Sequence, residues 1–304
     1  MKPLLAIVGP TATGKTGLAL KLAREFDGEI VNADSRQVYR HMDIGTAKPT
    51  PAEQAKASHH LFDVVDPDED FSLALYQELV YVAINDIHDR GKLPMLVGGS
   101  GLYIWAVLEG WSIPKVPPHP QFRRELEARA ISEGTDALHL ELQSIDPEAA
   151  TQIDSRNLRR VIRALEICQA TGKRFSDLKK KNPPDFDTHI FGLTAEREEL
   201  YRRIDLRVDR MVQEGFIEEV QGLIARGYSL ELPAMSSLGY REIGRFLSGD
   251  LDLSEGCQQI KYATHRFARH QYAWFRLKDE RISWFDSVDE ENEIAAQIEA
   301  NLRR

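Results

Sequence analysis

A glycine-rich segment near the N-terminus constrains the fold of this chain more than any other feature. It runs from Gly9 to Thr16 with the pattern G-x-x-x-x-G-K-T, after an apolar run at 3–8 and before an amphipathic run at 18–26. In this context the pattern predicts a strand, a phosphate-binding loop and a helix, because glycines let backbone N–H groups converge on phosphate oxygens and Lys15 adds a positive charge. The Thr16 hydroxyl can coordinate a phosphate-bound Mg²⁺. The segment predicts an α/β fold with a phosphate or diphosphate site, without saying which molecule carries the phosphate.

The length and composition of the chain limit the kinds of protein that it can be. With 304 residues, 42% of them hydrophobic, it is long enough for one large domain or two with a sizeable core. No apolar run approaches the roughly 20 residues of a membrane-spanning helix, so we expect a cytoplasmic protein without a membrane partner. Two distant cysteines, Cys168 and Cys257, support neither a disulfide framework nor a zinc site. The net charge of −9 argues against a uniformly basic surface, although local basic patches remain possible.

The order of segments after the loop predicts a doubly wound parallel sheet. An apolar run at 29–33 ends at Asp34, and a second run at 93–97 ends in a glycine-rich turn at 98–103 that opens another helix. Ligands gather at the carboxyl ends of strands in such sheets, so we expect Asp34 to face the same crevice as Lys15. A carboxylate there suits a metal ligand or a general base. The alternative is that Asp34 caps the following helix.

Four prolines at 114–120 interrupt this order and predict a domain boundary. Only helical periodicity follows, as far as about 187, and an apolar run near 188 returns to the sheet. We therefore expect a core formed by 1–117 and 188–304, with an all-helical insertion domain at 118–187. The second part of the core would carry basic C-terminal helices.

Positive charge is concentrated in two stretches despite the negative total. Residues 154–181 contain nine basic and three acidic residues, and Arg156, Arg160 and Arg163 are spaced to share one helix face. Phosphate contacts along a nucleic acid suit this row, and a solvated face is the alternative. Residues 257–278 contain five basic residues, none acidic and five aromatic. Cations beside stacking surfaces suit an unpaired nucleic-acid strand, although we expect most of those aromatics to belong to the core.

Five segments together resemble a known family, the bacterial-type tRNA dimethylallyltransferases, also called tRNA isopentenyltransferases. These segments are 9–16, 34–39, 42–49, 97–103 and 238–241. The resemblance covers nearly the whole chain and implies a P-loop NTPase-like parallel sheet flanked by helices, with the helical insertion. It also implies transfer of a dimethylallyl group from dimethylallyl diphosphate to N6 of adenosine 37, next to the anticodon of a tRNA. Mg²⁺ would be required, and we expect a monomer that binds the anticodon stem-loop.

The family pattern can be carried over residue by residue. It implies a donor diphosphate bound by Gly9, Thr11, Ala12, Thr13, Gly14, Lys15, Thr16 and Arg207. Arg203 is the alternative to Arg207. The implied catalytic residues are Asp34 as general base, Lys15, Thr16 as the metal ligand, and Arg207. Ser100 stands where the family usually has a threonine that touches the flipped adenine. The implied tRNA contacts are Asp34, Ser35, Arg36, Gln37, Ser100, Arg123, Arg159, Arg160, Arg163, Ser236, Ser237, Leu238, Gly239, Tyr240 and Arg241.

Three other functions compete with this interpretation. A prenyltransferase acting on free adenine nucleotides would need neither the basic insertion nor the acid-free C-terminal stretch. A small-molecule kinase would normally have an aspartate after an apolar strand, whereas the strand at 93–97 ends in two glycines. A non-catalytic RNA-binding module would not need Lys15, Thr16 and Asp34 together. The sequence therefore favours prenyl transfer to tRNA.

Overall fold

The structure, a computed structural model, describes residues 2–286 and 291–302. Within these residues six strands form one sheet, and every neighbouring pair is parallel. The strands are β1 (Lys2–Val8), β2 (Gly28–Asn32), β3 (His59–His60), β4 (Leu93–Val97), β5 (Phe186–Thr194) and β6 (Ile282–Asp286). Their order across the sheet is β3-β2-β4-β1-β5-β6, so β1 lies between β4 and β5. The prediction of a parallel α/β sheet flanked by helices is confirmed.

Helices connect the strands, as parallel pairing requires. Those outside the insertion are α1 (Lys15–Glu25), α2 (Pro51–Gln54), α3 (Leu73–Asp89), α4 (Gly101–Leu108), α10 (Arg197–Gln213), α11 (Phe216–Ala225), α12 (Tyr240–Leu247), α13 (Leu253–Trp274) and α14 (Glu291–Leu302), with a 3₁₀ turn at Ala234–Ser236. The insertion contains α5 (Pro120–Glu133), α6 (Thr135–Ile145), α7 (Pro147–Gln152), α8 (Leu158–Thr171) and α9 (Phe175–Leu178).

The sequence pattern explains why the central strands lie inside. The last five residues of β1 are fully buried, as its uninterrupted apolar run at 4–8 predicts for a strand covered on both faces. Leu18 and Leu22 of α1 pack on this sheet in one core cluster with Phe191 of β5. Apolar residues of α14, among them Ile294 and Ile298, belong to the same cluster. Because these strands are parallel, the carboxyl ends of β1, β2 and β4 lie side by side at the same end of the sheet.

The chain divides into two compact units, at 1–108 with 185–304 and at 109–184. The sequence placed the insertion at 118–187 instead. Its first boundary was late because residues 110–112 already pair with 180–182 of the same unit, through hydrogen bonds that join Asn182 N–H to Gly110 O and Ser112 N–H to Lys180 O. Its second was late because β5 begins at Phe186. The predicted final segment, 188–304, also includes residues 287–290 and 303–304, which lie outside the described residues.

The insertion unit, 109–184, has a core of its own. It is built from one apolar stripe on each of α5, α6 and α8, and its buried members include Leu126, Leu138, Leu142 and Leu165. Its regular elements are all helical over the described residues, as predicted. None of the helices described in the chain is long and apolar enough to cross a membrane.

Candidate active site

The P-loop at 9–16 ends where α1 begins. Gly14 has φ +86°, a left-handed conformation that costs a glycine little, and Lys15 is the first residue of α1. Thr13 is fully buried, and its hydroxyl donates to Pro10 O at 2.9 Å. The unpaired N–H groups of the first helical turn therefore lie at the loop, as an anion site requires.

Two cations lie at the P-loop. Lys15 Nζ donates to Pro10 O at 2.5 Å, and Arg207 Nη1 on α10 donates to Thr11 Oγ1 at 3.2 Å. Burial, and then the neighbouring charge of Arg207, lower the pKa of Lys15 to about 7, although Asp34 acts in the opposite direction. Burial also lowers the pKa of Arg207, which stays charged because an arginine starts from so high a value. A bound anion would relieve the cost of holding these two charges together.

The structure distinguishes between the two candidate arginines of α10. Arg203 Nε donates to Glu199 Oε1 at 2.7 Å, and Arg203 lines neither of the two cavities described below. Arg207 lines both of them and contacts Thr11 directly. Arg207 is therefore the one that α10 brings to the P-loop.

Asp34 follows β2 at the same edge of the sheet. Its Oδ1 accepts the Arg36 N–H at 2.9 Å, and its own N–H donates to Asn32 Oδ1 at 2.8 Å. The next helix, α2, begins only at Pro51 and is capped by Thr50. The alternative prediction that Asp34 caps a helix is therefore wrong, because the carboxylate stabilises a turn of its own.

Two cavities meet beside Asp34. The P-loop cavity, about 160 Å³, is lined by the P-loop together with apolar residues such as Ile30 and Phe62. The aromatic cavity, about 400 Å³, is lined by Phe267, His270 and Trp274 of α13 among others. Of the residues that the structure describes, six line both cavities: Thr11, Asp34, Thr46, Gly99, Arg207 and Gln271. Two ligands that occupied these cavities would therefore approach each other at Asp34.

Most of the predicted core site residues line one of these cavities. The P-loop cavity receives Thr11, Ala12, Gly14, Lys15, Thr16, Asp34, Gln37 and Arg207. The aromatic cavity receives Thr11, Asp34, Ser35, Arg36, Ser100, Arg207, Ser236, Ser237 and Leu238. Five others line neither cavity: Gly9, Thr13, Gly239, Tyr240 and Arg241. Gly9 and Thr13 instead shape the loop, since a Cβ at Gly9 would lie 2.2 Å from Leu193 O.

Tyr240, a predicted tRNA contact, lies in the protein core. Its side chain is fully buried, and its hydroxyl donates to Glu219 Oε1 at 2.6 Å. The prediction of a direct side-chain contact with tRNA is therefore wrong for this residue. Arg241, the next residue on α12, is exposed. Successive side chains of a helix point in different directions, which explains why Tyr240 is buried while Arg241, in the same sequence motif, is exposed.

Glu219 of α11 also fixes a loop that lines both cavities. Its carboxylate accepts the backbone N–H groups of Asp43, Ile44 and Gly45 at 2.7–3.1 Å. On the other side of this loop, Gln37 Nε2 donates to the carbonyl oxygens of Thr46 and Ala47, each at 3.0 Å. The segment at 42–49, named above only as a family resemblance, is therefore a clamped wall of the site.

The arginines of the insertion unit fall into two groups. Glu166, a buried carboxylate, accepts Arg123 Nε at 2.8 Å and Arg163 Nη1 at 2.5 Å. Although burial alone acts in the opposite direction, these arginines and a backbone N–H lower the pKa of Glu166 to about 2. Arg159 and Arg160 are exposed on the first turn of α8. The two groups lie on the same unit, but the first is half-buried and the second is exposed.

The predicted row of arginines on α8 is shorter than expected. The helix begins at Leu158, with Asn157 as its cap, so Arg156 lies outside it. Arg156 is instead held by Asp154, through Nη2 to Oδ2 at 2.6 Å. The interpretation of three arginines on one helix face is therefore wrong for Arg156.

A protein-only metal site is absent from the part of the chain that the structure describes, because no group of three or more suitable side chains occurs there. Thr16 does line the P-loop cavity beside Lys15. One hydroxyl suits Mg²⁺, which keeps several waters and is often bound through substrate phosphates. The residues present therefore fit a Mg²⁺ ion that arrives with a diphosphate.

Gln271 is a site residue that sequence reasoning missed. It is 3% exposed and lies at the junction of both cavities, where it donates to Gly99 O and accepts the Thr11 N–H. One signal was present in the sequence. Gln271 occupies a position on the buried stripe of α13, between Ala268 and Phe275, where an apolar residue would be expected.

Comparison with known proteins identifies the family. The family model described as IPP transferase matches residues 37–278, and a model described as isopentenyl transferase matches residues 2–65. A tRNA dimethylallyltransferase of Roseiflexus castenholzii is 57% identical over 276 residues, which cover 91% of this chain and 90% of that protein. One of Thermomicrobium roseum is 51% identical over 304 residues, covering 99% and 92% respectively.

Solved structures agree with this result. A tRNA isopentenylpyrophosphate transferase of Bacillus halodurans superposes with a TM-score of 0.72 and 42% identity, covering 100% of this chain and 99% of that one. A eukaryotic dimethylallyltransferase acting on tRNA superposes with a TM-score of 0.82 and 28% identity, covering 99% of this chain and 79% of that one.

Proposed function

The chain belongs to the IPP transferase family, the tRNA dimethylallyltransferases, and from this premise we propose the chemistry of its own residues. Dimethylallyl diphosphate occupies the P-loop cavity, and the adenine of tRNA position 37 enters through the aromatic cavity. One observation carries the assignment: Thr11, Asp34 and Arg207 line both cavities, so donor, base and acceptor meet at one point. The protein acts as a cytoplasmic monomer on the anticodon stem-loop.

The diphosphate leaves from the P-loop side. The C1–O bond of the donor breaks, and the electron pair goes to the diphosphate oxygen. Lys15, Arg207 and the N–H groups of the loop meet the negative charge that develops there. Thr16 would hold a Mg²⁺ ion that arrives with the diphosphate, and such an ion would supply further charge neutralisation. This proposal is supported by the contact of Arg207 with Thr11 and by the position of Lys15 in the lining of the P-loop cavity.

Asp34 acts as the general base. The exocyclic amine of adenine is a weak nucleophile, so transfer of its proton to the carboxylate assists formation of the N6–C1 bond. The products are N6-dimethylallyl adenosine, the diphosphate and a protonated Asp34. The position of Asp34 at the junction supports this role, because a base must reach the amine at the same point where the donor carbon lies.

The aromatic cavity and the insertion unit bind the RNA. A base stacked within its loop must be extruded before its amine can reach Asp34. The rings of Phe267, His270 and Trp274 give the aromatic cavity surfaces on which unpaired bases can stack. On the insertion unit, the exposed Arg159 and Arg160 bind flanking phosphates.

Transfer of radiolabelled prenyl from dimethylallyl diphosphate tests the proposal. Unmodified tRNA and free AMP are offered side by side with Mg²⁺, and ATP hydrolysis is followed as a control. Label on tRNA alone is expected. Label on AMP would assign the protein to the free-nucleotide enzymes, and ATP turnover without prenyl transfer would assign it to the kinases. A tRNA with guanosine at position 37, which should remain unlabelled, tests the target base.

A further inference from the structure

Gln271 joins the two halves of the active site through a single side chain. Its Oε1 accepts the Thr11 N–H at 2.9 Å, and its Nε2 donates to Gly99 O at 2.9 Å. Because Thr11 contributes a donor and Gly99 an acceptor, only this orientation of the amide satisfies both. The side chain is 3% exposed, so water competes little for either bond.

The residue after Gly99 is hydrogen-bonded to both neighbours of the proposed base. Ser100, the next residue, has an N–H that donates to Ala33 O at 3.2 Å, and its Oγ accepts the Ser35 N–H at 3.0 Å. Asp34 lies between these two partners. The hydroxyl of Ser100 therefore holds the turn that carries Asp34 and is not directed only at a substrate. These bonds and the peptide link between Gly99 and Ser100 connect the P-loop, through Gln271, to the two residues that flank Asp34.

Glycine at position 99 makes this arrangement possible. A Cβ at Gly99 would lie 2.2 Å from Gln271 Nε2, closer than any real contact permits, and 3.2 Å from Gly9 O. The space that the glycine leaves open is occupied by the amide of Gln271. The contact between α13 and the β4–α4 turn therefore requires a glycine at position 99 and is filled by the side chain at position 271.

From these contacts we infer that Gln271 is a positioning residue, which sets the separation between the diphosphate-binding loop and Asp34. The inference rests on the proposed function, since it assigns the P-loop to the donor and Asp34 to the acceptor. Gln271 also accepts the N–H of Thr11, so this group of the P-loop is not free to bind a diphosphate. Loss of Gln271 therefore frees a donor for the diphosphate while it releases the turn that carries the base.

This double role predicts that diphosphate affinity and kcat respond differently to the loss of Gln271. A residue that binds the diphosphate weakens diphosphate affinity when it is removed. Removal of Gln271 leaves that affinity unchanged or raises it, while kcat falls because donor and base are no longer held in register. A misplacement of about 1 Å from a distant change can reduce turnover by about 100-fold.

The test compares Gln271→Met, which keeps the volume and removes both hydrogen bonds, with wild type. Inorganic diphosphate binding is measured by calorimetry, and kcat and KM are measured for both substrates. We expect kcat to fall at least about tenfold, with diphosphate affinity equal to or tighter than that of wild type. Gln258→Met is the matched control, because Gln258 is exposed on the same helix. It should change neither quantity.

A second variant reaches the same contact from the other side. Gly99→Ala drives a Cβ into the Gln271 amide, and its effect should not add to that of Gln271→Met if both act through one contact. The same holds for Ser100→Ala combined with Gln271→Met. Thermal unfolding shows whether each variant folds. If Gln271→Met does not fold, Gln271→Glu is used in its place. The Gln271→Glu variant keeps an acceptor for the Thr11 N–H but places a second carboxylate oxygen against Gly99 O, so its kcat should also fall.

Two results would overturn the inference while leaving the proposed function intact. One is wild-type turnover in Gln271→Met and Gly99→Ala. The other is a loss of diphosphate affinity that accounts for the whole loss of kcat/KM, which would make Gln271 a binding residue. Failure of the proposed function gives a different result, because the wild-type protein itself would then transfer no prenyl group to tRNA.

Discussion

At the scale of single residues, the site depends on a few charges held close together. Among the described residues, Asp34 is the one acidic residue that lines either cavity, whereas Lys15 and Arg207 lie at the loop beside it. Charge of one sign held in a partly buried cluster raises its own energy. A ligand of the opposite charge lowers that energy on binding, so the same cluster should govern both affinity and pH dependence.

Lys15 predicts that diphosphate binding takes up a proton. In the protein without ligand Lys15 has a pKa of about 7, and a bound diphosphate would raise that pKa. Below this value the lysine is already charged. Above it, affinity should fall by up to about tenfold per pH unit until the pKa of the bound state is reached. Calorimetry of inorganic diphosphate at about pH 8, in two buffers of different ionisation enthalpy, should report uptake of nearly one proton.

Lys15→Arg is the control for this measurement, because a guanidinium is charged at every relevant pH. Its binding heats should contain no proton contribution from residue 15. Identical heats for the wild type in both buffers would mean that Lys15 is fully protonated before the ligand arrives.

Asp34→Asn predicts loss of turnover with tRNA binding preserved. An amide oxygen can still accept the Arg36 N–H, so the turn survives while the base is lost. We expect kcat to fall by about 100-fold or more, and the Kd for tRNA to stay within about threefold of wild type. Asp68→Asn, on an exposed carboxylate away from both cavities, is the control. Unchanged turnover in Asp34→Asn would remove Asp34 from the mechanism.

At the scale of single elements, what could be predicted depends on how local the cause is. The P-loop and Asp34 follow from local rules, namely the loop pattern and the carboxyl ends of strands. Gln271 does not, since its partner Thr11 lies 260 positions away and only the packing of α13 joins them. The prediction for Tyr240 failed for a similar reason, because this residue packs in a core cluster with Phe216 of another helix. Motif reasoning located the segments but could not orient their side chains.

Glu219→Ala predicts a destabilised loop at 42–49. Removal of the carboxylate leaves the N–H groups of Asp43, Ile44 and Gly45 and the buried Tyr240 hydroxyl without their acceptor. We expect the free energy of unfolding to fall by about 2 kcal/mol, measured by urea denaturation. Glu218→Ala is the matched control, because Glu218 is an exposed acid in the same first turn of α11. Equal stability of the two variants would contradict the clamp.

On α8, exposed and paired arginines should respond differently to charge reversal. Arg159→Glu with Arg160→Glu should weaken tRNA binding and lower the salt slope of log K by about 0.9 for each phosphate that is no longer neutralised, with stability preserved. Arg163→Glu should also destabilise the protein, because it places a carboxylate beside the buried Glu166. Filter binding at several salt concentrations and thermal unfolding separate these effects. Unchanged affinity at every salt concentration would make this helix face a plain solvated surface.

At the scale of the whole molecule, the two units were predictable in kind but not in extent. Four prolines indicated a boundary, but the pairing of 110–112 with 180–182 lies outside any local pattern because the partners are about 70 positions apart in the chain. This pairing brings the two ends of the insertion unit together. The unit also has an apolar core of its own.

Deletion of 109–184, with a short glycine-serine linker in its place, should therefore leave the core unit folded. We expect it to bind inorganic diphosphate with nearly wild-type affinity, measured by calorimetry, and to lose most of its affinity for tRNA, because Arg159 and Arg160 are removed. Full-length protein is the reference for both measurements. Loss of diphosphate binding in a folded deletion variant would show that the core unit depends on the insertion.

The position of β1 has a consequence for synthesis on the ribosome. Its two neighbours in the sheet are β4, complete at Val97, and β5, complete only at Thr194. During translation one side of the apolar strand β1 therefore stays unpaired until the ribosome has passed Thr194. Gln271 is translated later still, so the contact that joins Thr11 to Gly99 cannot form before that point. The registration of the donor site with the proposed base is thus completed after the strands of the sheet at β1, β4 and β5 have been made.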